Sequence, residues 1–218
     1  MSIIFSLRSV NINNMSTNPK TKTPSRIGRP PSGAAVSHAV ILDAVYALLQ
    51  EKSARDLTME AVAKRAGVGK PTLYKWWPTK AALIFAMFHE RIVENMGAPQ
   101  EKTAEAVIRA KVRHLVKEFN GLFGKVMADL IAEGQRDPAV MQELYDRHIS
   151  LRRASSIADI ERGKSEGEFR ADVNAELLID AIVAPMYYRL LLRRMPLTEE
   201  YADQLIDQVL RGLRTNGV

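Results

Sequence analysis

Beyond about Ser37 the apolar residues recur at three- and four-residue steps, and no stretch of strand length alternates apolar with polar. That period belongs to helices, and it restricts the chain to an all-α fold. Ile41, Ala44, Val45, Leu48 and Leu49 stand at i, i+3, i+4, i+7 and i+8, one face of a helix that ends near Lys52. Met59, Val62, Ala63 and Ala66 form a second stripe, headed by Thr58 as an N-cap with Glu60 in the first turn. This second helix spans only about eight residues, too few to be stable without tertiary packing. Gly67 is a natural left-handed stop, and Val68 is expected to plug into the core between two helices. A third helix opens at Gly69-Lys70-Pro71, where a proline loses nothing because its N–H has no intrahelical partner. Pro78 ends it after Trp77. Thr79 then caps a fourth helix running through Leu83, Phe85 and Phe88 to about Met96. Gly97-Ala98-Pro99 marks a boundary, followed by helical patterns at roughly 101–119, 122–135, 138–163, 174–194 and 198–214.

The basic charge is concentrated at the front. Arg8, Lys20, Lys22, Arg26 and Arg29 precede residue 37 without a single acid, and the first 80 residues carry a net +8 against +6 for the whole chain. The rest is therefore mildly acidic. A basic front suits a polyanion contact confined to the N-terminal third, and it equally suits a solvated tail. Residues 1–35, rich in Asn, Ser, Thr, Pro and Lys and without apolar period, read as a disordered basic arm. Met15 is an alternative translation start within it.

Several function classes drop out. The chain has no cysteine, so disulfides, thiolate metal sites and a cysteine nucleophile are excluded. Its four histidines, His38, His89, His114 and His148, are scattered, and none lies four residues from another. No zinc-protease, P-loop, dinucleotide or G-x-S-x-G signature occurs. Asp129 and Glu133 share a helix face, which suits a solvated acidic face or ion-pair partners better than a catalytic pair. An enzyme, a cofactor and a metal are accordingly not expected. No apolar run approaches the ~20 residues of a membrane span, and the N-terminus lacks a signal-peptide pattern. A cytoplasmic protein with no membrane partner is expected.

Helix, glycine turn, helix is the geometry of a helix-turn-helix from Thr58 to Trp77; without further signs it is equally an αα-corner. Lys70 and Lys80 each fall in the first turn of a helix, where a cation opposes the helix dipole. The placement makes sense if phosphates approach those ends; otherwise both side chains simply reach into solvent. The frame Thr58…Ala63-Lys64-Arg65-Ala66-Gly67-Val68…Thr72-Leu73-Tyr74…Lys80-Ala81-Ala82-Leu83 resembles the DNA-binding signature of the tetracycline-repressor (TetR) family, over roughly residues 37–85. The resemblance implies a homodimer that binds a palindromic double-stranded operator, most often a repressor released by a small molecule. It implies a three-helix DNA-binding domain with its linking helix at 36–97 and a ligand-binding and dimerisation bundle at 98–218.

Position by position, the resemblance places Thr58, Tyr74 and Lys80 on phosphates. It places Lys70, Pro71, Thr72 and Lys75 on the exposed side of the recognition helix, and Leu73 and Trp77 in packing positions. Three residues depart from the common pattern: Gly69 replaces a frequent Ser cap, Trp76 a frequent His and Trp77 a frequent Phe. Trp76 either touches the DNA backbone or packs. In the C-terminal half, the segment Gly167 to Asp172 looks like a turn. The stretch Ala184 to Leu191 resembles the eighth helix of one TetR subgroup, with Pro185 expected to kink it. The last two helices are expected to form a four-helix bundle with their twofold mates. Phe119, Phe123, Met127, Met186 and Tyr187 are candidate walls, and His114 a candidate polar contact, for a small apolar ligand among the fifth to eighth helices. The same residues suit ordinary core packing. A ligand-independent regulator or architectural protein is the alternative, although DNA binding alone needs no appendage of this length.

Gly28-Arg29-Pro30-Pro31 resembles an AT-hook core, in which an arginine enters a narrow minor groove; a proline-stiffened leader is the other reading. Deleting residues 1–35 is expected to lower DNA affinity, most of all for sites with A·T-rich flanks. Binding assays before and after deletion check this. Equal affinity for A·T-rich and G·C-rich flanks in both proteins reduces the segment to a passive leader.

Overall fold

The computed structural model describes residues 38–93 and 101–213. Arg29, the 1–35 arm and the boundary at Gly97-Ala98-Pro99 lie outside the described residues, as does any extension of the fourth helix to Met96. Every regular element among the described residues is helical. In order they are α1 (His38–Glu51), α2 (Met59–Ala66), α3 (Lys70–Trp76), α4 (Lys80–Val93), α5 (Ala104–Asn120) and α6 (Leu122–Gly134). Then come α7 (Pro138–Leu144), a π-helical segment (Tyr145–Ile149), α8 (Ser150–Ser165), α9 (Ala175–Leu192) and α10 (Glu199–Leu210).

The helix ends follow local chemistry. Thr58, Thr103, Asn174 and Thr198 each accept a backbone N–H three residues on, which satisfies one of the donors a helix start leaves open. Asp137 does the same for Ala139 N–H. The turn after α8 holds Gly167 at φ 77°, a conformation that a side chain rarely adopts. From that turn Glu168 reaches the start of α5, accepting the Ala104 N–H at 2.9 Å and the Glu105 N–H at 3.2 Å. Phe169 beside it is buried against Gly163.

In the first half α1 packs on α2 and α4, and α2 on α3, with Ile41, Val45, Leu57, Val62, Leu73, Leu83, Ile84 and Met87 all within 2% of full burial. In the second half α5 contacts α6, α8 and α10, while α9 lies against α8, α10 and the α5–α6 pair. Contacts of α4 with α7 and the π segment, and of α1 with α6, join the two halves.

The expected single helix over 138–163 is interrupted. At Tyr145–Ile149 the backbone bonds run one residue longer than in an α-helix, and Ser150 N–H reaches the Tyr145 carbonyl. The interruption brings His148 between two phenyl rings, stacked on Phe85 of α4 at 5.8 Å and tilted against Phe123 of α6 at 4.9 Å. Helical periodicity carries no mark of such an insertion. Pro185 stands inside α9, which is one element from Ala175 to Leu192.

The start of α6 lies close against the end of α5. A β-carbon on Gly124 would lie 1.9 Å from the Phe119 carbonyl oxygen, a backbone atom that cannot step aside. Gly124→Ala is expected to cost about 3 kcal/mol, at the upper end of overpacking effects, because two helices must part to admit one methyl group. Urea unfolding checks it, with a loss under about 1 kcal/mol counting against this packing.

Candidate functional site

The turn between α2 and α3 is a double-bonded helix stop. Gly67 lies at φ 69°, ψ 30°; its N–H meets the Lys64 carbonyl at 3.4 Å, and the Val68 N–H meets the Ala63 carbonyl at 3.0 Å. Val68 packs partly buried on the core. The chain leaves α2 in a fixed direction and re-enters helix at Lys70 with Gly69 extended and no side-chain cap. Of the seven residues of α3 only Leu73 is buried, and Trp77 follows it one turn on, 8% exposed. Lys70, Pro71, Thr72, Tyr74, Lys75 and Trp76 all face outward. Tyr74 is 48% exposed and Trp76 51%, large rings that no core covers. Trp76 meets His38 edge-on at 4.3 Å, and Lys75 lies 5.4 Å from its ring.

Three of the residues expected to meet DNA have partners within the protein. Thr58 Oγ1 accepts the Ala61 N–H at 3.1 Å. Lys70 pairs with Glu60 of α2 at 2.6 Å. The Glu60 carboxylate beside it holds the lysine's pKa above its ordinary value and is itself lowered, both side chains being exposed. Lys80 pairs with Glu133 of α6 at 3.0 Å, half shielded from water. Carboxylates of the chain itself therefore offset the two first-turn lysines.

Matches to known proteins fit this geometry. Residues 41–87 match the family described as bacterial regulatory proteins, tetR family, and residues 98–209 match the tetracyclin repressor-like C-terminal domain. The chain belongs to the TetR family. It is 32% identical over 190 residues to the HTH-type transcriptional regulator YdeS of Bacillus subtilis (strain 168), covering 87% of this chain and 95% of YdeS. It is 27% identical over 186 residues to the DNA-binding transcriptional repressor TetR of Mycobacteroides abscessus, covering 82% of this chain and 93% of that protein. The crystal structure of the TetR-family regulator SCO0332 superposes with a TM-score of 0.69 at 28% identity, covering 81% and 98%. A DNA-binding transcriptional regulator with a helix-turn-helix is the function these relatives share.

In the TetR C-terminal half three of the candidate ligand residues come together. Phe119 stacks near Phe123 at 6.2 Å and meets Tyr187 edge-on at 5.0 Å, while Met127 and Met186 are buried in the core. Their packing is close. A cavity of about 420 Å3 lies elsewhere, between α1, α3 and α4, lined by His38, Leu42, Trp76, Trp77, Ala86, His89 and Glu90. His114 Nε2 is buried without a hydrogen bond, 3.4 Å from Glu118 Oε1. Glu118, 8% exposed, is held by both terminal nitrogens of Arg152 at 2.5 and 2.8 Å, and that guanidinium lies 5.5 Å from the Phe123 ring. Burial pushes the Tyr187 phenol up to about 12. Sequence reading missed Glu118, Arg152 and His148; Arg152 and Glu118 stand 34 positions apart and meet through the fold.

His148 has a consequence for stability. Burial, with Arg152 and His89 nearby, lowers its pKa from 6.5 to about 3. Above pH 6.5 it is neutral folded and unfolded, and pH has no effect through it. Below that the unfolded chain takes up a proton that the folded one refuses, so stability falls with pH until about 3. The slope approaches about 1.4 kcal/mol per pH unit for one proton. Urea unfolding between pH 7.5 and 5.5 is expected to show His148→Phe losing less stability than wild type, and parallel losses would disprove the assignment.

Proposed function

We propose that the protein is a homodimeric repressor whose α3 enters the major groove of a palindromic operator and whose release follows binding of a small, largely apolar molecule in the C-terminal half. The observation that carries the DNA reading is α3 itself, a helix anchored by Leu73 that leaves six of its seven residues outward. A helix so exposed has little reason to exist unless a partner receives it. Lys70, Pro71, Thr72, Lys75 and Trp76 supply base and backbone contacts, while Thr58, Tyr74 and Lys80 meet phosphates.

The dimer reading rests on α9. Its buried stripe is Leu178, Ile182, Met186 and Leu190, with Ala175 and Ile179 alongside. On another face Leu177, Ala181, Ala184, Tyr188, Leu191 and Leu192 stand exposed at helical spacing, with Leu177 66% and Tyr188 55% exposed. A helix that is apolar on both sides calls for a second cover, and a copy of the same helix across a twofold axis supplies one.

The ligand reading is supported by the orphaned His114 Nε2 and the shielded Glu118–Arg152 pair among Phe119, Phe123 and Tyr187. A partly shielded ion pair contributes little to stability and remains available for recognition. Because the walls are close-packed, the ligand enters by parting them, and α4 receives the strain through His148 on Phe85.

Selection of bound fragments from genomic DNA, followed by footprinting, tests the reading. The expected outcome is a palindrome with half-sites about 34–36 Å apart, protected by a dimer. Tyr188→Asp is expected to yield monomers in analytical ultracentrifugation and to weaken operator binding by tenfold or more. A single half-site bound by a monomer, or an undiminished dimer in that variant, contradicts it.

A further inference from the structure

Three carboxylates on α6 and α7 take hold of the DNA-binding half. Asp129 accepts the Ala54 N–H, in the loop between α1 and α2, at 2.9 Å. One turn further along α6, Glu133 binds Lys80 Nζ at 3.0 Å. From α7, Glu143 accepts the hydroxyl proton of Thr79, whose oxygen in turn accepts the Ala82 N–H at 3.0 Å and so caps α4. Two of the three therefore converge on the start of α4.

That start is the positive end of a fourteen-residue helix, and Lys80 adds a full charge to it. A helix N-terminus with a lysine favours an oxyanion. Here the oxyanions are Glu133 and Glu143, supplied by the other half of the chain. The side chains of Lys80 and Glu133 are 21% and 30% exposed, which leaves the pair near water and open to exchange. One ammonium cannot hold this carboxylate and also approach a phosphate on the DNA side without dividing its attraction.

We propose that Glu133 is an internal stand-in for a DNA phosphate, so that this residue of the C-terminal half sets DNA affinity by competing for Lys80. The inference rests on the reading of Lys80 as a phosphate contact. It adds what regulates that contact. The same helix carries Phe123 and Met127 into the aromatic cluster and Glu133 toward α4. A shift of α6 that draws Glu133 away frees Lys80 for DNA, and a shift that presses it closer withdraws the lysine.

The test compares wild type, Glu133→Gln, Lys80→Ala and the double variant by fluorescence anisotropy on a labelled duplex of random sequence, across a range of salt. Random sequence suffices because a phosphate contact is blind to bases. Glu133→Gln is expected to tighten binding roughly two- to fivefold, the worth of a partly exposed ion pair. Lys80→Ala is expected to lower the salt slope by about one unit. In the Lys80→Ala background, Glu133→Gln is expected to change nothing. Equal tightening with and without Lys80 overturns the competition, because Glu133 then acts only as a repulsive charge. No tightening in Glu133→Gln alongside a reduced slope in Lys80→Ala also overturns it while leaving the lysine's phosphate role intact. An unchanged slope in Lys80→Ala removes the phosphate role itself, and the proposal with it. Glu133→Ala repeats the measurement should the glutamine variant fold poorly, with circular dichroism as the check on both.

Discussion

The exposed helix α3 depends on Leu73. It is the single buried residue of α3, wholly out of water, and with Trp77 it fastens a seven-residue helix to the body of the domain. A helix of that length does not persist alone in water. Its direction comes from the Gly67 turn and its termini from Gly69 and Trp77, so the outward residues inherit their orientation from a few backbone bonds and one apolar contact. Burial of a leucine contributes about 2 kcal/mol. That modest sum holds the whole of α3, and its other residues remain unconstrained by the core.

The C-terminal half is built on the opposite principle. Charged groups pair between its helices at partly shielded positions: Arg152 on Glu118, Arg109 on Glu105, Asp203 and Asp207, and Glu168 on the first amides of α5. These bonds tie helices that are distant in sequence. His114 is the exception, since its buried Nε2 has no hydrogen bond. Beside the Arg152 guanidinium lie aromatic rings from α5, α6, α9 and the π segment, continuous through His148 with Phe85 of α4.

Much of the helix-turn-helix was legible from residue order alone, because its determinants are local. Thr58 caps, Gly67 turns left-handed, Pro71 sits in a first turn, and Leu73 and Trp77 fall on one face. Each of these signals acts within four residues. What escaped reading depends on contacts between distant positions. The π segment in the long helix after Asp137 reflects where Phe85 and Phe123 lie, not any signal in Tyr145 to Ile149. Glu118 and Arg152 meet across 34 positions, and Lys80 and Glu133 across 53. Lysines that looked exposed to a phosphate from the sequence proved to have acidic neighbours, since spacing shows where a helix begins but not what stands opposite. The aromatic candidates Phe119, Phe123 and Tyr187 were found together, yet their close packing came from helix approach at Gly124, which no pattern of polarity announces.

The two tryptophans of the chain, Trp76 and Trp77, are neighbours at the end of α3, and both line the cavity beside His38 and His89. Selective indole excitation therefore illuminates one joint of the protein and leaves the C-terminal half dark. Any molecule seated among Phe119, Phe123 and Tyr187 is optically silent by direct contact with an indole. If its arrival alters the emission, the change has crossed from one half of the chain to the other. Nature has in effect placed a lamp at the recognition helix, and a fluorimeter with unlabelled protein reads communication between the halves rather than occupancy.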